Sequence, residues 1–208
     1  MSLELVNNPI LVMLQDKGRF GYSEIGVTNS GVMDEYAYLS ANKMLGNNLE
    51  TNILEIAFSN VIFKVNASTQ IAITGAFCEF FINDVLKECW QTHNIKVGDT
   101  LKIGKILNGT RVYLAVKGGF DIKKEFGSNS TTIKEKLGGI NGEKLKKGDI
   151  LPFNSFTYTH DVRLKKEFIP SYEDELILRV VSSYQKEFFS NEQTEKFFST
   201  VFTVTNDF

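Results

Sequence analysis

The sequence predicts a mainly β fold with a few short helices. Short apolar runs bounded by turn residues recur at residues 10–14, 53–58, 61–65, 70–74, 79–82, 95–97, 100–103 and 111–116. Runs of that length and spacing suit the strands of a barrel or sandwich. Seventeen Phe against one Trp enrich the chain in a residue that favours sheets. Helical signals are few, with one clear amphipathic stretch and one short capped stretch near the end.

The first strand, residues 10–14, leads into a glycine-rich loop. Gly18, Gly21, Gly26 and Gly31 alternate there with Gln15, Asp16, Arg19, Ser23, Asn29 and Ser30, and the glycines permit positive φ. Met33, Tyr36, Ala37, Ser40, Ala41, Met44 and Leu45 then fall on one helical face. Ser30 or Gly31 is expected to cap that helix, Asp34 to sit in its first turn, and Gly46 to end it. A loop that delivers polar groups to a helix start suits a binding site. The alternative is an ordered surface loop entering a packed helix.

Ser59-Asn60 and Asn83-Asp84 mark tight turns. Gly98-Asp99-Thr100-Leu101 recurs as Gly148-Asp149-Ile150-Leu151, each a turn entering a strand. Residues 118–148 are glycine-dense and polar and read as loops. Residues 1–156 are expected to form the first domain. Residues 157–175, charged and carrying Pro170 and the Glu173-Asp174-Glu175 run, read as a linker. Residues 176–208 then start a second β domain, with strands at 176–181 and 201–205 around a helix over 192–198 capped by Asn191.

Composition narrows the function. The chain has 208 residues, 42% hydrophobic and 23% charged, with a formal net charge of −2. The densest basic cluster, Lys144, Lys146 and Lys147, reads as a solvated turn, so nucleic acid is not the expected partner. Cys78 and Cys89 form neither a CxxC pair nor a disulfide framework and are expected to be buried thiols. No apolar run approaches the length of a membrane span and no leader pattern precedes the first strand, so a cytoplasmic protein is expected. His93 and His160 lack partners at ligand spacing, and no intrinsic metal is expected. Neither GxxxxGK[ST] nor GxSxG occurs.

Arg19 and Asp34 are the candidate catalytic residues. A guanidinium can grip a carboxylate or phosphate bidentately. Asp34 at a helix start could orient a substrate N–H or act as a base. Their structural alternatives are a salt bridge from Arg19 to Asp16 or Glu24, and a helix-stabilising carboxylate at Asp34. Two segments could hold an anion: Lys117-Gly118-Gly119, and Gly127 to Thr132 with the hydroxyls of Ser128, Ser130 and Thr131. Turns at strand ends are the alternative reading of both.

The ordered pieces Gln15-Asp16-x-Gly18-Arg19-x-Gly21-Tyr22, Gly26-Val27-x-x-Ser30-Gly31-x-Met33-Asp34, Ala41-Asn42-x-x-x-Gly46-Asn47 and Leu54-Glu55-Ile56 carry a resemblance. It continues through Thr74-Gly75-Ala76, Tyr113–Gly119 with Asp121, Gly127–Thr131 and Gly148–Leu151. In these pieces the chain resembles the biotin-dependent carboxyltransferase-like family. That family includes allophanate hydrolase subunit 2, the carboxyltransferase part of urea carboxylase, and the C component of bacterial 5-oxoprolinase, also called the Kip antagonist. The resemblance implies a cyclophilin-like β-barrel domain and a second such domain, incomplete here. Gln15 joins the substrate- or anion-binding candidates on the same basis.

The resemblance further implies the C component of an ATP-dependent 5-oxoprolinase. It would act on a small amide with a Kip-type sister subunit, similar to the B component of that enzyme, and a third subunit. ATP would serve the complex. The alternatives are a carboxyltransferase or allophanate hydrolase subunit 2 component of urea breakdown, and a regulatory protein that antagonises a Kip-type kinase inhibitor. Biotin enters only the urea alternative, and the chain has no A-M-K-M carrier motif. Asn129 and Glu143 stand where the family usually has Arg.

Overall fold

The computed structural model describes residues 1–58, 60–157, 160–172, 175 and 177–203. The chain divides into two compact units, Met1–Asp174 and Glu175–Phe208.

The first unit is built on one antiparallel sheet. Its strands are β1 (Ser2–Leu5), β2 (Leu11–Gln15), β3 (Ile53–Ala57), β4 (Val61–Val65), β5 (Thr69–Ile82), β6 (Val85–Lys87), β7 (Gln91–Ile95), β8 (Thr100–Val116) and β9 (Ile150–Pro152). The order β2-β3-β8-β4-β1-β9 forms the main path. β5 lies along β8 from Ile71↔Val116 to Ile82↔Leu101 and also pairs with β6 and β7. β8 serves two strands on its other edge: its start pairs with β4 and its end with β3. A strand shared in that way has to bend, and register shifts in β5 between Gly75 and Phe80 supply the bend. The sheet therefore curls, as the mainly β expectation required.

Alternating apolar residues of these strands fill one core. Leu3, Leu5, Val12, Leu14, Phe63, Phe80, Leu101 and Leu114 are among the side chains fully removed from solvent. A second cluster joins the sheet to the helix α1 (Glu35–Leu45). Ala37, Tyr38, Ala41, Met44 and Leu45 pack there on Ile53, Ala72, Trp90, Tyr113 and Ala115. Thr74 locks the helix to β5 by donating to the Ala37 carbonyl at 2.8 Å.

Several expectations change. The runs 70–74 and 79–82 are one strand, as are 100–103 and 111–116, because bulges carry the pairing past Gly75 and Gly109. β7 begins at Gln91, four polar residues before the apolar run expected at 95–97. The helix is capped by Asp34 rather than Ser30 or Gly31. Gly46 takes the left-handed conformation that ends it, φ 66°. Part of the stretch read as a linker belongs to the first unit: Leu164 N–H donates to Trp90 O at 3.0 Å, and Val162 N–H to Thr92 Oγ1 at 2.8 Å.

The second unit holds α2 (Asn191–Ser199), preceded by a 3-10 turn over Tyr184–Phe188. Ser190, not Asn191, caps α2 through a capping box with Gln193. The expected strands are not found among the described residues. Residues 177–181 and 201–203 have no regular structure, while Leu176, Val204 and Thr205 lie outside the described residues. Apolar alternation makes a strand only where another strand edge is available, and Ile177 and Val181 remain almost fully exposed.

Candidate functional site

The glycine-rich loop after β2 closes around a buried carboxylate. Asp16 Oδ1 accepts from Gly18 N at 2.8 Å and from the Ser128 and Ser130 hydroxyls, each at 2.6 Å; Oδ2 accepts from Asn129 N at 2.6 Å. Asp16 N–H in turn donates to Ser130 Oγ at 2.9 Å. Only 4% of Asp16 is exposed. A buried carboxylate is tolerated when its oxygens are filled in this way.

Arg19 works against the same loop. Its Nη1 donates to Thr132 Oγ1 at 2.5 Å and its Nη2 to the Ser130 carbonyl. The residue is 1% exposed. It makes neither of the salt bridges considered from the sequence among the described residues. Ser130 thus stands between two opposite charges, hydroxyl to Asp16 and carbonyl to Arg19. Gln15 is also buried; its Nε2 donates to Thr131 O at 3.2 Å, while its Oε1 has no partner.

Asp34 belongs to a different network. Oδ1 accepts from Ala37 N at 2.9 Å, capping α1, and Oδ2 accepts from the Tyr172 hydroxyl at 2.7 Å. Asp34 N–H donates to Tyr113 Oη at 2.8 Å, and that phenol donates to Glu55 Oε2 at 2.8 Å. Burial and then the Glu55 charge hold the Tyr113 phenol well above its usual pKa, so it stays a donor. Arg111 Nε lies 3.6 Å from Glu55 Oε1. Arg19 and Asp34 share no hydrogen-bond partner among the described residues. The loop's polar groups draw Arg19 inward, so it is buried rather than presented to a substrate.

The two anion segments keep few donors free. Lys117 Nζ donates to Leu45 O at 2.9 Å, at the C-terminal end of α1 where a cation is favoured. The N–H groups of Lys117, Gly118 and Gly119 go to Gln70 O, Asn47 Oδ1 and Val116 O. Those of Ser128, Asn129, Ser130 and Thr131 go to Glu125 O, Asp16 Oδ2, Ser128 Oγ and Leu14 O. The Thr131 hydroxyl is spent on Leu14 O at 3.0 Å. These segments do not fit a nucleotide phosphate, which needs converging free donors.

What the loops do enclose is a polar cleft. One lobe, of about 340 Å³, is lined by Asn48, Glu50, Thr51, Asn52, Gly118, Phe120, Ile122, Lys124 and Asn129. A second, of about 150 Å³, includes Asp16, Lys17, Gly18 and Phe20 and shares Glu50 and Lys124 with the first. Its floor is a pair of amides. Asn52 Nδ2 donates to Phe120 O and Asn129 Oδ1, and Asn129 Nδ2 to Ile122 O. Asn129 and Asn52 thus form a neutral clamp. Gly119 permits the close approach, since a Cβ there would meet the Thr51 methyl and Asn52 Oδ1. Lys17 pairs with Glu50 at 3.2 Å. Lys124 makes no ion pair among the described residues.

Sequence reading missed Glu50, Asn52 and Lys124. A signal was available for Glu50 and Asn52 in the Asn-rich turn that follows Gly46, with Asn47, Asn48 and Asn52 around Leu49 and Glu50. Among the described residues no group of three or more His, Cys, Asp and Glu could hold a metal, and no helix is long and apolar enough to cross a membrane.

Residues 25–208 match the carboxyltransferase domain, subdomain A and B. The chain belongs to this carboxyltransferase family. Among curated carboxyltransferase relatives, urea amidolyase of Saccharomyces cerevisiae is 33% identical over 197 residues, covering 88% of this chain and 10% of that protein. The C component of Escherichia coli 5-oxoprolinase is 33% identical over 150 residues, covering 72% of this chain and 48% of that one. The chain thus spans about half of the latter relative and a small part of the former. The crystal structure of the K. lactis urea amidolyase superposes with a TM-score of 0.78 at 30% identity, over 96% of this chain and 13% of that one. These neighbours bear out the family resemblance and the mainly β fold.

Proposed function

We propose that this chain is the C component of an ATP-dependent 5-oxoprolinase, opening the lactam of 5-oxoproline to glutamate with a Kip-type sister subunit and a third subunit. The observation that carries the reading is the polar cleft beside the Asp16 cradle, with the unpaired Lys124 ammonium at its rim. A small lactam acid has a carboxylate for that ammonium to hold. The similarity to the E. coli 5-oxoprolinase component supports the same assignment.

Ring opening adds water across an amide C–N bond. This chain's part is to bind and orient: the Asn52–Asn129 clamp keeps the floor rigid, and Lys124 supplies charge. Its loop donors do not fit a phosphate, so the nucleotide belongs on a partner. The protein is taken to be cytoplasmic in this setting.

A second reading, a component of urea breakdown, is favoured by the longer match to urea amidolyase. It would need biotin carried on another segment or subunit.

The test is reconstitution with the sister subunits. Glutamate should form from 5-oxoproline only when ATP and all partners are present. Lys124→Ala should raise KM for 5-oxoproline. An assembly inert on 5-oxoproline but active on urea or allophanate would overturn the first reading in favour of the second.

A further inference from the structure

Asn83 and Asp84 form the tip of the β5–β6 hairpin, both with positive φ, and Phe80↔Lys87 and Ile82↔Val85 fix its register. Past Lys87 that register ends, and pairing with β5 resumes only at Ile73↔Gln91; in the stretch between, Cys89 lies beside Cys78. The two sulfurs lie 3.7 Å apart and both cysteines are free thiols. The pair opens onto a groove of about 590 Å³ lined by Phe77, Leu86, Lys87, Arg163 and Lys166 among others. Cys78 is buried and Cys89 partly buried.

We infer that Cys78 and Cys89 form a thiol–disulfide exchange site that takes low-molecular-weight disulfides of the glutathione class from this groove. Cys89 is the attacking sulfur. It is the more accessible of the two, and the Cys78 thiol beside it favours its thiolate, lowering its pKa, while the same contact raises that of Cys78. The Cys89 thiolate attacks one sulfur of the small disulfide; that S–S bond breaks, a mixed disulfide forms on Cys89, and one thiolate leaves. Cys78 then loses its proton and attacks Cys89 Sγ, closing the protein disulfide and expelling the second thiolate. Two electrons pass from the cysteine sulfurs to the small disulfide, and its two thiolates take up the two protons released. Arg163 is taken by Glu88 and Gln91, and Glu79 also lines the groove, so Lys87 and Lys166 are the cations left to meet the carboxylates of such a ligand. The product would staple β5 to the residue before Trp90. The indole of Trp90 already donates to Gly75 O at 3.0 Å.

The test treats the reduced full chain with oxidised glutathione and reads intact mass and peptide maps. The wild type should lose the mass of two hydrogens and yield a Cys78–Cys89 cross-link. Because the second thiol is held in contact, the closed form should exceed the mixed disulfide by more than about tenfold. Cys78→Ser should stop at the glutathione adduct on Cys89, and Cys89→Ser should stay unmodified under the same exposure. Wild-type protein that accumulates the mixed disulfide without closing would overturn the inference. So would thiols that remain unreactive when folded yet react in urea.

Discussion

The hydroxyl of Tyr172 donates to Oδ2 of Asp34 at 2.7 Å, while Oδ1 of the same carboxylate caps α1. One side chain thereby fixes both the helix start and the segment that closes the first unit. Tyr172→Phe keeps the ring and removes only the donor. It should lower unfolding free energy by about 1.5–3 kcal/mol, the range for a hydrogen bond to a charged group. Asp34→Asn should cost less than Asp34→Ala, since Asn also caps helices well. Urea midpoints measure both, and a Tyr172→Phe midpoint equal to wild type would remove the latch.

Arg19 is a structural charge. Arg19→Ala leaves the buried Ser130 carbonyl without its donor and opens a cavity at a fully buried site, so a loss of roughly 3 kcal/mol is expected. Arg19→Lys retains charge but cannot bond Thr132 and Ser130 together, and should cost about 1–3 kcal/mol. Chemical denaturation read alongside reconstituted activity separates this from catalysis. A stable but inactive Arg19→Ala protein would return Arg19 to the chemistry.

His93 makes stability pH-dependent. Its Nε2 lies 2.8 Å from Glu88 O, and burial pushes its pKa down to about 4 from 6.5, opposed by Asp161 and helped by Lys87. The folded protein therefore resists a proton that the unfolded chain accepts. The contribution is full above about pH 6.5 and is lost as the pH falls toward 4, reaching about 3 kcal/mol below that. His93→Gln should flatten this part of the profile when urea midpoints are compared between pH 7 and pH 4.

Two glycines with similar φ should respond differently. Gly75, φ 83°, sits where a Cβ would strike the Arg111 carbonyl oxygen and approach Tyr113 Cδ2. Gly21, φ 89°, has nothing within 4 Å of that position. Gly21→Ala should cost about 1–2 kcal/mol of backbone strain, and Gly75→Ala substantially more because strands β5 and β8 must part. Equal losses would show that strain alone governs both.

The strands and the helix were legible because each carries its own period. Val61–Val65 reads directly from alternation, and Met33–Leu45 from a helical face. β7 was hidden because Gln91, Thr92, His93 and Asn94 are polar yet pair with β5. The strand expected at 176–181 had the pattern without an edge to join. For the site, sequence picked out the right loop but not the direction of its side chains. Ser128, Ser130 and Arg19 look like ligands for an anion until Asp16 appears among them. The Cys78–Cys89 contact was latent in the Asn83-Asp84 turn, since both residues lie five positions from it in the sequence.

β1 is held between β4 and β9, with Leu3 opposite Val65 on one side and Leu151 on the other. During synthesis β1 therefore waits for β9 to emerge. At ordinary elongation rates the delay between Leu3 and Leu151 is on the order of 10 s. Throughout it an apolar edge stays open to other nascent chains, so slowed translation between β1 and β9 should show up as lost soluble yield.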